Sequence, residues 1–367
     1  MPRRFKLVAI ALLTVLFALA GTGCTPTTSD QLDDYLNRLS RSLQVDRSNK
    51  DTVVSVLPPA LMPPAPLRRE LVVEEASQSI NLLEFLYLSS CELGRTLGAR
   101  NSSLGKLAQP SQRMHLQRDI LLSAPECIGG LKDSNPELAS KLERIIAAKY
   151  DERMHYWWNA WFSSKEWQVF TQPGAAPLTR EQSESAQLAG LQALDYLIIQ
   201  GERWQAGSLA YASGEMEHHQ QQMLATEVIG RWREVNRLLH AMSNEAALLL
   251  GGRLGTRPLC PAGRKTPQAE ILQNVFQKFY AGEIQPLLSQ NDRFSAQLVE
   301  RLERISRLIG DDSLIVPPDT WRLWLKELIK EREAMMSAHR LHVTKWQDIL
   351  TQCGMMPGRP EQADGAQ

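Results

Sequence analysis

The sequence predicts an all-α fold, an irregular bundle of about seven to nine helices preceded by a proline-rich N-terminal spacer. From Leu71 onward, apolar residues recur at helical spacing almost throughout. Residue types that favour helix starts stand where many of these runs begin. Alternation typical of a strand is confined to residues 53–57, and there is no repeat of solenoid period. Together these observations favour a body made of helices.

The composition is that of an ordinary globular protein. The chain has 367 residues, of which 43% are hydrophobic and 22% charged, enough for one large domain or two small ones. Lys and Arg together number 41, and Asp and Glu also number 41. Because nucleic-acid binding requires a basic face and the charges here balance, we expect no nucleic-acid partner.

The first segment, residues 1–23, is predicted to be a lipoprotein signal peptide. Positive charge at Arg3, Arg4 and Lys6 precedes an apolar run over residues 7–20. A short apolar run after positive charge is typical of an export signal. The run is too short and ends too abruptly for a comfortable membrane span. We therefore expect the chain to be exported.

Two cleavage sites compete at the end of this segment. Residues 18–20, Ala-Leu-Ala, suit ordinary signal peptidase, whereas residues 20–24, Ala-Gly-Thr-Gly-Cys, resemble a lipobox with cleavage before Cys24. The chain has five cysteines, and lipidation of one leaves an even number for an oxidising compartment. We expect Cys24 to carry the lipid, with enough acyl chains for stable anchoring. Thr25 follows it, as in enteric lipoproteins of the outer membrane, so the body is expected to face the periplasm.

The next segment, residues 24–70, is predicted to be a tether that contains a short helix and a proline-rich strip. Apolar residues at helical spacing over 29–43, with Ser29 as a candidate N-cap, indicate the helix. Residues 57–66 hold five prolines, which exclude a helix and favour polyproline II. The strip is either a stiff spacer or packed against the body. The alternative is a ligand for a proline-binding module.

Residues 71–355 are predicted to form the helical domain, and residues 356–367 a disordered tail. Asn135-Pro136 opens a run that continues to Phe170, and Thr179-x-x-Gln182 is a capping box that opens the next. A long helix is expected from near Gly214 to Gly251. Further helices are expected to begin at Thr266-Pro267 and at Asp319.

Four cysteines lie within the helical domain, at Cys91, Cys127, Cys260 and Cys353. A hairpin of two helices would bring Cys91 to Cys127, while Cys260 lies in a Gly/Pro loop and Cys353 ends the last helix. Disulfides 91–127 and 260–353 are thus the simplest of three connectivities, and disulfides suit an exported protein. The alternative is four buried free thiols. A zinc site is disfavoured because no Cys-x-x-Cys pair is present.

Part of the chain resembles a known family. The residues concerned are Cys91–Lys106 (CELGRTLGARNSSLGK), Pro110–Arg113 (PSQR) and Ala124–Cys127 (APEC), and the sequence Arg68–Leu71 after the proline strip is similar too. They resemble an uncharacterised family of proteobacterial lipoproteins, known as domain of unknown function 3080. The resemblance runs from the lipobox to about Cys353. It implies a lipoprotein with paired cysteines, and it implies no activity, cofactor or catalytic residue.

We expect a partner-binding surface at two places. The polar sequence Arg100-Asn101-Ser102-Ser103 ends one helix and begins a turn, where a partner could recognise it. The densest aromatic cluster, around Trp157 and Trp161, is expected to be mostly core with an exposed edge, and stacked tryptophans can also bind sugar rings. Ser103-x-x-Lys106 matches one motif of penicillin-interacting enzymes, but the other motifs and their mixed α/β body are missing.

Two further patterns carry weaker hypotheses. Glu152-x-x-His155 and Glu215-x-x-His218 resemble the paired ligands of helical di-metal proteins. No inward-facing Glu partners can be assigned, so surface salt bridges are the preferred interpretation, and we expect neither a metal nor another cofactor. His339 and His342 could form a catalytic pair, although partly buried histidines that meet a carboxylate are the preferred interpretation.

The leading hypothesis is therefore a membrane-anchored, non-enzymatic interaction or scaffold protein of the cell envelope, with another envelope protein as its partner. The alternatives are a cell-wall glycan-binding protein or envelope hydrolase, and a di-metal carboxylate protein. An open groove at the Trp157–Trp167 cluster would favour the glycan alternative, and a closed cluster would remove its support.

Overall fold

The fold is given by a computed structural model, which describes residues 27–45, 47, 64–76, 79–172, 180–256, 258–309 and 315–357. Helices account for nearly all regular structure in these ranges, and no strand occurs in them. The all-α prediction is thus confirmed, and the number of helices is slightly above the predicted range. The strand-like residues 53–57, the two candidate cleavage sites and the predicted tail beyond residue 357 lie outside these ranges.

The helices follow one another with short connections. They are α1 (Thr28–Leu43), α2 (Leu82–Tyr87), α3 (Glu92–Asn101), α4 (Ser103–Lys106), α5 (Pro110–Leu131), α6 (Pro136–Asp151), α7 (Arg153–Phe162), α8 (Lys165–Thr171), α9 (Arg180–Gln205), α10 (Ser213–Thr226), α11 (Val228–Leu254), α12 (Pro267–Val275), a π-helical segment (Phe276–Ile284), α13 (Gln285–Leu308) and α14 (Asp319–Gln352). Short 3₁₀ turns occur at Arg68–Glu70 and Pro261–Gly263.

The extra helices arise because two predicted runs are divided. The run that ends at Phe170 forms α6, α7 and α8, with a break at Glu152 and a second at Ser163-Ser164, where the Ser164 hydroxyl caps α8. The long helix expected from Gly214 is divided at Glu227, which adopts the left-handed conformation with φ 49°. Neither Gly nor Pro marks these breaks, so the sequence carries no ordinary stop signal for them.

Three hydrophobic clusters form the core. The central cluster gathers the aromatic residues of α7 and α8 against α9, α11, α13 and the start of α14. A second cluster lies between α1, the C-terminal part of α11, α12, the π-helical segment and the end of α14. A third lies between α3, α5 and α6. The first helix and the C-terminal part of α14 thus pack in the second cluster, whereas α2–α6 form a separate group around the third.

Helix α1 belongs to the folded body, although we expected it in the tether. Leu32, Leu36 and Leu39 are fully buried on the second cluster. Their i, i+4, i+7 spacing gives the helix one apolar stripe, and such a stripe is stable only when it is covered. Pro66 and Leu71, at the end of the proline strip, are buried as well. The described parts of residues 24–70 therefore pack against the body.

Two disulfides tie distant parts of the chain together. Cys91, at the start of α3, is bonded to Cys127 in α5. Cys260, in the loop before α12, is bonded to Cys353 at the end of α14. This is the simplest of the three connectivities considered from the sequence. Within the described ranges, no helix combines the length and the apolarity that crossing a bilayer requires.

Candidate functional site

The aromatic cluster of α7 is closed. Trp157 and Trp161 have no exposed surface. The indole nitrogen of Trp157 donates to the carbonyl oxygen of Leu197 at 3.2 Å, and that of Trp161 donates to Gln200 Oε1 at 2.6 Å. Our expectation of an exposed edge was therefore wrong, because every aromatic residue of the cluster is buried by the elements packed around it. The cluster offers no groove for a sugar ring, and the glycan-binding and hydrolase alternatives lose the support that it gave them.

The polar sequence Arg100–Ser103 lies at the surface, as expected. α3 ends at Asn101, and Ser102 begins α4: its hydroxyl accepts a hydrogen bond from Gly105 N at 3.0 Å and donates to Ala99 O at 2.7 Å. Asn101, Ser102 and Ser103 are exposed, and Arg100 is half-buried. The Ser102 side chain is thus used to shape the turn, which leaves the neighbouring side chains available to a ligand.

The turn between α3 and α4 depends on the absence of a side chain at Gly105. A Cβ atom at this position would lie 2.2 Å from Ala99 O and 2.5 Å from Arg100 O, far closer than van der Waals contact allows. The chain can therefore fold back on itself only with glycine here. This close approach places Lys106 beside the last turn of α3, which carries Arg100.

These residues form one wall of a cavity of about 380 Å³, which we call the basic cleft. The opposite wall is the N-terminal part of α5 and the segment before α2. The six residues used below to define the basic cleft are Glu75, Arg100, Asn101, Lys106, Arg113 and Gln117. Its lining is mainly polar, and three of the six side chains carry positive charge against one carboxylate.

The positive groups of the basic cleft are open or partly open. Within the described ranges, neither Arg100 nor Lys106 makes a side-chain hydrogen bond or an ion pair. Arg113 donates from Nε to Ala108 O at 3.1 Å and from one terminal nitrogen, Nη2, to Lys106 O at 3.3 Å. These bonds fix the guanidinium against the α4 turn and leave Nη1 without a partner in those ranges. The cleft therefore presents one fixed guanidinium and two cations without a partner in those ranges, all with spare donor capacity.

A fourth basic side chain, Lys149, is nearly buried, and its ammonium lies 6.0 Å from the centre of the Tyr156 ring. Burial lowers the pKa of Lys149, and the positive charge of Arg100 lowers it further, against the opposing effect of Glu75 and Glu152.

Gln117 is the buried polar group of the basic cleft. Its side chain is 3% exposed, and its Oε1 atom is buried without a hydrogen-bond partner among the described residues. A buried acceptor without a donor is unfavourable by about 1–3 kcal/mol. Because Oε1 has no accessible surface, a ligand in the cleft cannot reach it, and the amide atom left to a ligand is Nε2, which is a donor.

A second hollow, of about 440 Å³, lies between α1 and α12. Two of its polar groups are engaged: Arg38 pairs with Asp34 at 2.7 Å and covers the Phe279 ring, and Gln268 donates to Ser42 O at 2.9 Å. One lining cation, Arg41, has no side-chain partner in the described ranges, against two in the basic cleft, so we regard the cleft as the candidate site.

The other constellations named from the sequence do not assemble. In Glu152-x-x-His155, the Glu152 carboxylate accepts from Ala76 N and from the Tyr156 hydroxyl. In the part of the chain that the structure describes, no three His, Cys, Asp or Glu side chains are grouped to hold a metal ion. No hydrogen bond joins Ser103 to Lys106 in the same part.

His342 is fully buried, with its Nε2 atom 2.7 Å from the Tyr35 hydroxyl. It therefore meets a phenol, where the sequence analysis expected a carboxylate. His339 next to it is half-buried. The two histidines line none of the cavities described above, so a catalytic pair gains no support.

Residues on one wall of the basic cleft could be identified from the sequence, and those on the other wall could not. Arg100 and Asn101 were expected at a recognition surface, whereas Glu75, Arg113 and Gln117 were not assigned a role. Arg113 and Gln117 are four residues apart, so they share one face of α5. That spacing is a usable signal, but only the fold shows that this face lies opposite α4.

Comparison with known proteins gives a family. No curated protein and no solved structure matches the chain. Residues 32–357 match the family described as "Protein of unknown function (DUF3080)". The match covers residues 32–43 of α1, both disulfides and every residue of the basic cleft. The chain therefore belongs to this family, as its cysteine-flanked motif predicted.

Proposed function

We propose that the protein is a non-enzymatic interaction module of the cell envelope, anchored to the outer membrane by a lipid on Cys24 and facing the periplasm. The observation that carries this proposal is that the cysteines are paired in disulfides except for one. Of five in the chain, four form two disulfides, which leaves Cys24 outside them. Disulfides persist in oxidising compartments, and Cys24 stands where the N-terminal sequence resembles a lipobox.

The position of α1 defines how such an anchor would act. α1 begins at Thr28, four residues after Cys24. Four extended residues span at most about 14 Å. A lipid on Cys24 would therefore hold the α1 end of the body close to the membrane, and the basic cleft belongs to the other group of helices, α2–α6.

The basic cleft supports recognition of a ligand in preference to a reaction. It offers fixed charge and hydrogen-bonding groups. Within its described lining there is no hydroxyl or thiol nucleophile hydrogen-bonded to a base, which covalent catalysis requires. The hydroxyl of Ser102, in the adjacent turn, is occupied with the backbone of the α4 turn. A binding surface is the function that these groups can perform as they stand.

The test is membrane fractionation of the full-length protein with Cys24→Ala beside it, after labelling with radioactive palmitate. We expect the natural chain to be labelled and to sediment with outer membranes, and Cys24→Ala to lose the label and the sedimentation. Thr25→Asp is the matched control: it should keep the label and shift towards the inner membrane. An unlabelled, soluble natural chain would contradict the proposal.

A further inference from the structure

We propose that the basic cleft binds a carboxylate or phosphate group of a small ligand that also carries a hydrogen-bond donor beside that group. This inference deepens the proposed function because it names the chemistry of a ligand. It rests on the proposed function only in placing the protein in the periplasm, where it would meet the ligand. The anion and the donor are each supported by a separate observation.

The anionic group is supported by the three cations. Arg100 and Lys106 have no polar side-chain partner within the described ranges, and Arg113 keeps Nη1 open. Guanidinium groups match the two oxygens of a carboxylate or phosphate, and hydrogen bonds between charged partners are about twice as strong as neutral ones. Unpaired cations on an exposed, flat surface are usually solvated. Here they converge on a concave site, where one oxyanion can contact more than one of them.

The donor is supported by Glu75, the carboxylate on the cleft wall, which favours a hydrogen-bond donor on that side of the ligand. Gln117 supports the anion instead. Its Oε1 atom is buried out of reach of a ligand, whereas Nε2 has no partner among the described residues and keeps accessible surface. An amide N–H in the lining of the cleft can donate to the same oxyanion as the cations.

The size of the cleft indicates a small ligand or the end of a chain. Its volume of about 380 Å³ is near the lower limit of ordinary ligand sites. Phosphorylated polyols have a phosphate beside hydroxyl donors, and peptide C-termini have a carboxylate beside an amide N–H. Both carry an anionic group beside a hydrogen-bond donor, and the titration below distinguishes one from the other.

The cleft is held in its shape before any ligand arrives. The disulfide between Cys91 and Cys127 joins α3, which carries Arg100, to α5, which carries Arg113 and Gln117. Gly105 fixes the fold-back of the α4 turn. A site that is already ordered loses less conformational entropy on binding than a flexible one.

The test is calorimetric titration of the mature full-length protein with two probes, glycerol 3-phosphate and Nα-acetyl-dialanine. Glycerol and the corresponding peptide amide are the uncharged controls. We expect one or both charged probes to bind and the controls not to bind. Binding of glycerol 3-phosphate alone identifies a phosphate as the anion, and binding of the peptide alone identifies a carboxylate. If neither probe binds at millimolar concentration, the proposal is overturned.

Substitutions locate the binding. Arg100→Gln should weaken the affinity about tenfold or more, because it removes a charged hydrogen bond. Arg95→Gln is the matched control, since Arg95 lies on the same helix, is exposed and pairs with Glu92 outside the cleft. Equal affinities in these two variants would place the probe elsewhere and overturn the proposal.

Gln117→Leu separates a binding role from a structural one. We expect it to weaken the affinity for the binding probe about tenfold and to leave Tm unchanged or raised, because it removes a buried unpaired oxygen. A loss of Tm with unchanged affinity would show that the Gln117 amide serves the fold alone. A protein that is soluble and unlabelled, yet binds with these effects, would overturn the membrane anchor and leave the cleft assignment standing.

Discussion

Tyr35, His342 and Trp346 form a hydrogen-bonded group in the buried contact between α1 and α14. Trp346 Nε1 donates to the Tyr35 oxygen at 2.9 Å, and that oxygen lies 2.7 Å from His342 Nε2. If Tyr35 donates its proton to Nε2, one buried donor, Nδ1–H of His342, is left without a partner. If Nε2 of His342 donates to the Tyr35 oxygen instead, two groups are unsatisfied: the Tyr35 hydroxyl proton and the Nδ1 acceptor of His342. The first arrangement is therefore preferred, with a neutral imidazole.

This buried histidine predicts loss of stability in acid. Burial lowers the pKa of His342 to about 3, and the charge of His339 contributes in the same direction. The folded state thus keeps the imidazole neutral, while the unfolded chain takes up a proton below about pH 6.5. The full contribution to stability is present above that pH and is lost as the pH falls towards 3. Its slope is about 1.4 kcal/mol per pH unit.

Urea unfolding between about pH 7 and pH 4 measures this effect. We expect His342→Gln to be less stable than the natural protein at neutral pH and to have a shallower pH dependence over this range. His218→Gln is the control, because His218 is exposed. If the pH dependence is the same in the natural protein and in His342→Gln, the neutral state assigned to the buried imidazole is wrong.

We expect substitution by alanine to have opposite effects on stability at Gly105 and at Gly129. Gly105→Ala forces Cβ against two backbone carbonyls, and overpacking of this kind destabilises by about 1–3 kcal/mol. Gly129→Ala meets nothing within 4 Å in the helix α5 and should stabilise by up to about 1 kcal/mol. Chemical denaturation of the two variants checks both signs. A neutral result at Gly105 would contradict the close fold-back of the α4 turn.

At the scale of elements, α11 and α14 are joined by a buried ion pair. Arg233, whose side chain is 1% exposed, donates to both carboxylate oxygens of Glu331, at 3.1 and 2.6 Å. Asn236 donates to Glu331 O at 3.0 Å and accepts from Asn291, which brings α13 into the same network. Such a network fixes the mutual register of three helices, because each polar group is satisfied only in one alignment.

Arg233→Met should be strongly destabilising, since it leaves the Glu331 carboxylate without its buried partner. Removing one member of a buried pair costs about 3–5 kcal/mol. Arg237→Met is the matched control on the same helix: Arg237 pairs with Glu234 within α11 and is partly exposed, so less than about 1 kcal/mol is expected. Similar urea midpoints for the two variants would mean that the Arg233 pair does not hold α11 to α14.

Helix starts with a clear local signal in the sequence could be predicted, and breaks without such a signal could not. Asn135 and Thr266 were expected to open helices, and their side chains accept from Leu138 N and Ala269 N as N-caps. The breaks at Glu152 and Glu227 were not expected, because tertiary packing imposes them without Gly or Pro. The π-helical turn after Val275 was also missed, and nothing in its local composition distinguishes it from an α-helix.

At the scale of the molecule, the candidate site was only partly predictable. Arg100 and Asn101 could be identified because charged and polar residues at a helix end are normally exposed. Trp157 and Trp161 could not be placed correctly, because periodicity gives the faces of α7 but not the number of helices that cover it. The role of Gln117 could not be predicted, because the burial of its oxygen and the access of its nitrogen to the cleft depend on every element around it.

The disulfides predict a large response to reduction. Cys260–Cys353 closes a loop across 93 residues and Cys91–Cys127 one across 36. Chain entropy gives about 4–5 kcal/mol for each, as an upper bound. Thermal melting with and without dithiothreitol should show a markedly lower Tm after reduction. Cys260→Ala/Cys353→Ala should reproduce part of that loss, and an unchanged Tm would mean that the thiols are free in the natural protein.

The most direct test of the central claim is the intact mass of the full-length protein extracted gently from membranes. We expect a chain that begins at Cys24, carries a diacylglyceryl group and further acylation, and has lost the four thiol hydrogens that are removed when two disulfides form. A chain that begins at Gly21, without lipid and without a loss of hydrogens, would contradict both the anchor and the covalent frame of the body.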